Sequence, residues 1–168
     1  MLQLINIASP EDAPRIDALM GEQRNNPLFV ADDLGFIERH ISEEGFTLLI
    51  ESPDPEEAEL SAFLILRFPG EAQDNLGRDL DFSAGELNKC VHMESLVVSL
   101  VAQGQGMGGM LISAGLKEAA KRGAEFAFAT VHPDNTASLK SFYKNGFEVK
   151  ADVIKYGGKP RKLLFRKL

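Results

Sequence analysis

The chain contains only one cysteine, Cys90, among its 168 residues. A single cysteine excludes an internal disulfide framework and favours a reducing compartment such as the cytoplasm. The three histidines are dispersed, so we expect no metal site. No apolar run approaches the length of a transmembrane helix, and the first residues lack the basic and apolar regions of a signal peptide. The sequence therefore predicts no membrane partner.

The chain also has fewer basic than acidic residues, which gives a formal net charge of −7 at pH 7. This balance argues against a nucleic-acid partner, since nucleic-acid binders neutralise phosphates with lysine and arginine. A length of 168 residues predicts one domain spanning 1–168, and a hydrophobic content of 44% is ordinary for a globular protein with a core.

The most informative stretch is 91–123, which combines a strand, a glycine loop and a helix. Its β-branched run 91–98 predicts a buried strand, and the apolar residues after Met107 recur at helical spacing until Gly123. The glycine loop between them opens the helix, whose first N–H groups lack internal partners and carry the positive end of the dipole. This arrangement predicts a binding site for a pyrophosphate or another anion.

Three known phosphate-binding loop motifs are relevant to this stretch. Gly104, Gly106 and Gly109 match the dinucleotide fingerprint G-x-G-x-x-G, but the next strand is followed by His132 where that motif needs an acidic residue. The Gly-Lys-Ser/Thr of a Walker loop is absent. Gln103, Gly106 and Gly108 fit Gln/Arg-x-x-Gly-x-Gly/Ala, the pyrophosphate loop of the GCN5-related N-acetyltransferases (GNAT), and the chain resembles this family.

The remaining segments predict an α/β fold with a mixed, mostly antiparallel sheet of about seven strands and four helices. The predicted order is β-α-α-β-β-β-α-β-α-β-β, with 69–89 as a long loop. The predicted elements are a strand around Leu2, Leu4, Ile5 and Ile7, a helix capped by Ser9 and broken at 25–27, a helix over 31–44, strands over 46–51, 60–68 and 91–98, the helix that follows the glycine loop, a strand over 126–131, a helix capped by Asn135, and strands over 147–156 and 162–168. The resemblance implies the same order, so it covers the whole chain.

The resemblance implies a site for acetyl-CoA as acetyl donor, without a metal. The segment 135–147 is similar to the family pattern N-x-x-(A/S)-x-x-(F/L)-Y-x-x-x-G-F, although two residues instead of three separate Tyr143 from Gly146. By this resemblance Tyr143 stands beside the thioester sulfur and protonates the leaving thiolate, and Phe142 packs in the core. The implied cofactor-binding residues are Leu96, Val97 and Val98 on a splayed strand, Gln103, Gly104, Gln105, Gly106, Met107 and Gly108 in the loop, and Asn135, Ser138 and Tyr143 in the second segment.

A base is also needed, because an amine with a pKa near ~10 must lose a proton before it attacks. Glu94 and His92 are predicted to share one strand face, since strand side chains alternate. Glu94, directly or through water, is the first candidate and His92 is the second. A structural hydrogen bond inside the sheet is the alternative role for both. Cys90 is read as a small buried apolar residue, because no basic neighbour marks it as a thiolate.

The sequence thus predicts an acetyl-CoA-dependent N-acetyltransferase that moves the acetyl group directly to a primary amine. A non-catalytic acyl-CoA sensor and a dinucleotide-binding oxidoreductase remain as alternatives. The acceptor is a small-molecule or peptide amine, and both a monomer and a homodimer are compatible with the sequence. Carboxylates crowd 54–59 and 71–86 and favour a cationic acceptor, whereas the basic residues within 155–167 would favour an acidic one.

Overall fold

Seven strands form one sheet in the computed structural model, which describes residues 4–168. The predicted strand residue Leu2 lies outside this range. The strands are β1 (Ile5–Ile7), β2 (Gly45–Glu51), β3 (Leu60–Arg67), β4 (Cys90–Val98), β5 (Phe126–Val131), β6 (Glu148–Lys155) and β7 (Lys159–Lys167). The α-helices are α1 (Ala13–Met20), α2 (Leu34–Ser42), α3 (Ala84–Leu87), α4 (Met107–Lys121) and α5 (Thr136–Lys144). The α/β class and the predicted element order are confirmed, with the short α3 as an addition.

The sheet has the strand order β1-β2-β3-β4-β5-β7-β6, and only β4 and β5 pair in parallel. Helix α4 supplies the crossover that a parallel pair needs. Pairing between β4 and β5 covers only Cys90–His92 and Phe126–Phe128, although the strands continue to Val98 and Val131. The sheet therefore opens between the carboxyl ends of its two central strands. A largely antiparallel sheet of this kind is not the doubly wound parallel sheet of dinucleotide-binding oxidoreductases.

Both faces of the sheet are covered. On one face α4 and α5 pack on the inner strands, with Leu64, Leu111 and Phe142 in the same core. On the other face α1 and α2 cover the β1–β4 half around Phe63. The 69–89 segment, predicted as a loop, contains a 3-10 turn (Leu76–Leu80) and α3. It covers the rest of that face by packing Leu76 against the β5–β7 strands.

Two element boundaries differ from the prediction in ways that shape the site. Helix α2 begins at Leu34 instead of Ala31, because the Asp33 side chain caps it by accepting a hydrogen bond from the N–H of Phe36 (2.8 Å). Strand β7 begins at Lys159 instead of Lys162, because the chain turns within 156–158, where all three residues have positive φ. Within residues 4–168, no helix combines the length and apolar character needed to cross a bilayer.

Candidate active site

The glycine loop joins β4 to α4 and presents open backbone. Gly104 and Gly106 have φ of 81° and 79°, in the left-handed region that favours glycine. A Cβ at either position would meet no heavy atom within 4 Å, so the space above the loop is open. The first hydrogen bond of α4 runs from the N–H of Met110 to Gly106, which leaves the first N–H groups of the helix without helical acceptors. The loop therefore has the geometry of an anion site.

The open edge of β4 leads from this loop into the sheet. The N–H of Ser99 donates to Ser61 on the β3 side (2.8 Å). Because backbone groups alternate along an antiparallel strand, Val97 also bonds towards β3, while the N–H and C=O of Leu96 and Val98 point into the opening. Strand β5 does not pair with this part of β4. A ligand lying in the opening can hydrogen-bond to these backbone groups as an added strand would.

A groove of about 430 Å³ runs along this edge, and we call it the loop groove. Among the sequence-predicted cofactor residues, those that line it are Leu96, Val97, Val98, Gln103, Gly104, Gly106, Met107, Gly108, Asn135 and Ser138. Gln105 and Tyr143 do not line it. Asn135 caps α5 by accepting a hydrogen bond from the N–H of Ser138 (3.3 Å). The α1–α2 connection adds Phe29 to the opposite wall.

The loop groove leads into a second space, the central cavity, of about 90 Å³. Both spaces are lined by Phe29, Leu96, Asn135 and Ser138, so they adjoin. The polar side chains of the central cavity that the loop groove lacks are Asp32, Glu94, Thr130, His132, Tyr156 and Arg161. Beyond Glu94 and Tyr156 lies an outer cavity of about 230 Å³ that reaches Asp74 and Lys155. The three spaces form one passage from the glycine loop through the open sheet.

Glu94 is held in this passage by His92 and Arg67. The N–H of Leu76 donates to Nε2 of His92 (3.1 Å), so the ring proton is on Nδ1 and faces Oε1 of Glu94 (3.2 Å). Nη1 of Arg67 lies 3.5 Å from the same carboxylate oxygen. Burial raises the pKa of Glu94, but the hydrogen bond from His92 and the charge of Arg67 outweigh it and hold the pKa below its usual value.

The two predicted bases make different contacts in this network. Both ring nitrogens of His92 are engaged, which leaves no lone pair for an incoming amine. In this geometry His92 contacts Glu94 and the Leu76 backbone, and its role as the second candidate base stays a prediction. Glu94 remains ionised at neutral pH and lines both the central and the outer cavity.

A second carboxylate, Asp32, lines the central cavity from the α1–α2 connection. The hydroxyl of Ser95 on β4 donates to its Oδ2. Burial raises the pKa of Asp32 to about 6, the Ser95 hydrogen bond opposes this shift, and the negative charge of Glu94 adds to it. The cavity thus contains one carboxylate with a lowered pKa and one that titrates near neutrality, which is the separation expected of groups with different catalytic tasks.

The two tyrosines of the chain occupy different environments. Tyr156 lines the central and outer cavities, and its hydroxyl lies 2.7 Å from Oγ1 of Thr130. The two tyrosines are similarly exposed, 46% for Tyr143 and 50% for Tyr156, but Tyr143 lines none of the three spaces, whereas its neighbour Phe142 is 3% exposed and lines the central cavity. Counted from Asn135 to Gly146 the segment has the length of the family pattern, so Phe142 stands at the tyrosine position and Tyr143 one residue later. Each helical residue turns the side chain by about 100°, so Phe142 faces inward and Tyr143 outward. This placement argues against the predicted role of Tyr143.

The two acidic segments do not surround the cavities, although the sequence suggests that they favour a cationic acceptor there. No residue of 54–59 lines the three spaces, and the β2–β3 turn lies at the end of the sheet where β4 enters the glycine loop. In the 69–89 segment Asp74 pairs with Arg67 (2.9 Å) and Asp79 pairs with Lys155 (2.9 Å). These carboxylates are largely neutralised by the protein itself.

A model of the acetyltransferase (GNAT) family matches residues 13–147, which is most of the chain and includes the glycine loop and α5. The chain belongs to the GNAT acetyltransferase family. A comparison with curated proteins finds no match.

Solved structures of other GNAT proteins share the fold of this one. A phosphinothricin acetyltransferase from Sinorhizobium meliloti, solved with acetyl-CoA, is 16% identical, with a TM-score of 0.75 over 100% of this chain and 89% of that one. A GNAT acetyltransferase from Streptococcus pneumoniae is 16% identical, with a TM-score of 0.74 over 99% of both chains. A ribosomal-protein-alanine N-acetyltransferase from Brucella melitensis is 21% identical, with a TM-score of 0.69 over 98% and 99%. These identities support the fold and leave the acceptor open.

Sequence reasoning missed five polar side chains of the central cavity, of which Asp32, Tyr156 and Arg161 matter most for its chemistry and the other two are Thr130 and His132. Asp32 was included in a helix, although the adjacent Asp33 is a good N-cap and would have signalled a later start. Tyr156 precedes Gly157-Gly158, a turn signal that places it at the end of a strand. Nothing in the local sequence marks Arg161, because its burial depends on strands that are distant in the chain.

Proposed function

We propose that this GNAT protein binds acetyl-CoA in the loop groove and transfers the acetyl group directly to a primary amine in the central cavity. The observation that carries the proposal is the continuity of the passage. An anion-binding loop, an unpaired strand edge and a cavity with two carboxylates follow one another along β4. The phosphinothricin acetyltransferase that shares the fold was solved with acetyl-CoA.

The cofactor is expected to lie with its pyrophosphate on the N–H groups of the glycine loop and the first turn of α4. Its pantetheine arm would add to the open edge of β4 at Leu96 and Val98, with Asn135 and Ser138 on the other side. This path directs the thioester towards the central cavity. A backbone N–H on this edge, of Leu96 or Val98, can then donate to the thioester oxygen as negative charge develops there.

Asp32 and Glu94 have different roles towards the amine. Glu94 stays ionised and can bind the incoming ammonium group. Asp32 has a pKa of about 6 and is the better-matched proton acceptor near neutral pH, because general bases work best when their pKa is close to the operating pH. Removal of the ammonium proton frees the nitrogen lone pair for attack on the thioester carbon.

Tyr156 is the phenol that can return a proton to the leaving thiolate. Burial raises its pKa, with a smaller opposing effect from the Thr130 hydrogen bond, so the hydroxyl is protonated at neutral pH. In the complete reaction the C–N bond forms, the C–S bond breaks and the sulfur leaves as a thiol. The ammonium nitrogen loses two protons, one to Asp32 before attack and one as the amide forms. One of them replaces, through solvent, the proton that Tyr156 donates to sulfur, and the other is released to solvent.

Direct transfer is favoured over an acyl-cysteine intermediate by the position of Cys90. Its side chain is 1% exposed and lines none of the three spaces. Burial raises the pKa of the Cys90 thiol to about 11, so it is not a thiolate nucleophile at neutral pH. The acceptor and the thioester would therefore react together, with much of the rate arising from their relative positioning.

The test is release of free thiol from acetyl-CoA in the presence of a panel of primary amines, with the product mass measured. We expect the mass of at least one amine to rise by that of one acetyl group, and we expect Glu94→Gln to raise KM for that amine by about tenfold or more. Glu125→Gln, on the surface beside Lys89, is the matched control. A chain that binds acetyl-CoA in a thermal-shift assay but acetylates no amine would support the sensor alternative instead.

A further inference from the structure

Arg161 is a buried arginine without a carboxylate partner. It is 3% exposed and its side chain lines the central cavity. Its Nη1 donates to the carbonyl of Pro160 (2.7 Å), and its guanidinium carbon lies 5.4 Å from the centre of the Tyr156 ring. Among residues 4–168 no carboxylate forms an ion pair with it, whereas Arg15, Arg24 and Arg67 each pair with at least one.

A charge in this position is unfavourable for the protein alone. Burial lowers the pKa of Arg161, yet a guanidinium stays protonated in proteins. Removing it from water without an opposite charge destabilises the fold. The planar group has five N–H donors, and one described hydrogen bond uses only Nη1. The remaining donors suit the two oxygens of a carboxylate, which arginine binds in a bidentate manner.

The other charged groups of the cavity have the opposite sign. Asp32 and Glu94 line the same space of about 90 Å³ as Arg161. A ligand that fills this space meets two carboxylates and one guanidinium, so it is best matched by an amine and an anionic group held close together. A peptide N-terminus matches less well, because its nearest oxygen belongs to a neutral amide.

We propose that the acceptor is a free amino acid or a similar zwitterion, whose carboxylate binds Arg161 while its amine faces Glu94 and Asp32. This inference rests on the proposed function, since it assigns the acceptor of the same site. It replaces the purely cationic acceptor that the acidic segments suggested, because those carboxylates lie outside the passage or pair with Arg67 and Lys155.

The experiment compares amino acids with their own amides, which differ only in the negative charge. Thermal midpoints are measured with saturating coenzyme A, so that no turnover occurs, while each compound is titrated. We expect some acids to raise the midpoint and their amides to have little effect. In Arg161→Met the apparent affinity for those acids should fall by at least about 30-fold, which is typical of truncating a buried charge partner. Arg39→Met, at an exposed position on α2, is the matched control.

The same pairs are then tested as substrates with acetyl-CoA, where the acids should exceed the amides in kcat/KM by a similar factor. Arg161→Met should remove this preference while its affinity for acetyl-CoA stays unchanged. Amides or carboxylate-free amines that are acetylated better than acids would overturn the inference and leave the proposed function standing. Acids that bind through Arg161 but are never acetylated would support carboxylate binding by Arg161 and refute both the proposed function and the assignment of these acids as acceptors. If acids and amides behave alike both in the thermal-shift titration and as substrates, the inference is also overturned.

Discussion

The loop groove and the central cavity are built in different ways. The loop groove is made chiefly from two continuous segments, 96–108 and 135–144, and its main donors are backbone N–H groups. The central cavity takes the polar side chains that the loop groove lacks from four separate places: the α1–α2 connection, β4, β5 with the residue just after it, and the β6–β7 pair. The backbone-built region can accept the same ligand in proteins with different side chains, whereas the side-chain-built region can change its ligand with a few substitutions.

This difference separates what is common to the family from what is particular to this protein. The splay of β4 from β5 leaves amide groups free regardless of the side chains there, so the donor site follows from topology. The proposed acceptor site depends on Asp32, Tyr156 and Arg161, and a single substitution at any of them would change its chemistry. Variants of the loop groove should therefore change the binding of acetyl-CoA, whereas variants of the central cavity should change acceptor binding or the proton transfers.

The largest expected effect comes from Asp32→Asn. Asparagine keeps the size of the side chain and can still accept the Ser95 hydrogen bond, but it cannot take a proton. We expect kcat to fall by about 10²–10⁴-fold, as is typical for loss of a general base. In the wild type kcat/KM should rise as the pH rises through about 6, because Asp32 must be deprotonated to act. This inflection should be missing from the variant.

Stability provides a control with a defined sign. The pKa of Asp32 is raised from 3.8 to about 6, so the folded state binds its proton more tightly than the unfolded state does. The stability linked to this group is present below pH ~4 and is lost as the pH rises through about 6, by up to about 3 kcal/mol. Asp32→Asn should thus melt at a higher temperature than the wild type at pH 8, with a smaller difference at pH 4. A slow variant that also melts lower at pH 8 would point to misfolding instead of a lost base.

The next effect is that of Tyr156→Phe, which removes one hydroxyl from the central cavity. We expect kcat to fall by about 100-fold, because the thiolate would leave without a positioned acid. The Kd for acetyl-CoA should stay within about twofold, since the loop groove does not include this residue. Stopped-flow measurement of thiol release under single-turnover conditions isolates the chemical step. An unchanged single-turnover rate would assign the proton to water.

In the loop groove, Gly106→Glu tests the donor site. The new carboxylate would occupy the open space above the loop and repel the pyrophosphate, so the Kd for acetyl-CoA should rise by about 10- to 100-fold. Every L residue at this position is strained by the φ of 79°, so Gly106→Ala controls for strain alone. Calorimetric titration should show a much smaller change for alanine. Equal losses in the two variants would mean that backbone geometry, and not the anion, explains the effect.

The sequence was a good guide to the loop groove and a poor one to the central cavity. Gln103, Gly106 and Gly108 lie within six consecutive residues, and a strand, loop and helix can be recognised locally. Glu94 was also found, because it lies on the same strand. Asp32 reaches the cavity through the contact of the α1–α2 connection with Ser95 on β4, and Arg161 through the pairing of strands far apart in sequence, and no local pattern encodes either. The assignment of Tyr143 depended on a helix register, where one residue decides between the interior and the solvent.

The smallest expected effect is that of Tyr143→Phe, the same substitution as in Tyr156→Phe but on the outer side of α5. The Tyr143 side chain is 46% exposed and lines none of the three spaces, while Phe142 fills the inward position beside it. Loss of its hydroxyl should leave kcat, KM and the Kd for acetyl-CoA within about twofold, as expected for a surface substitution without special contacts. The two tyrosine variants should be measured side by side in the single-turnover assay. A large loss of rate in Tyr143→Phe together with a normal Tyr156→Phe would mean that α5 rotates when the cofactor binds. The proton donor would then be Tyr143, as the resemblance implies.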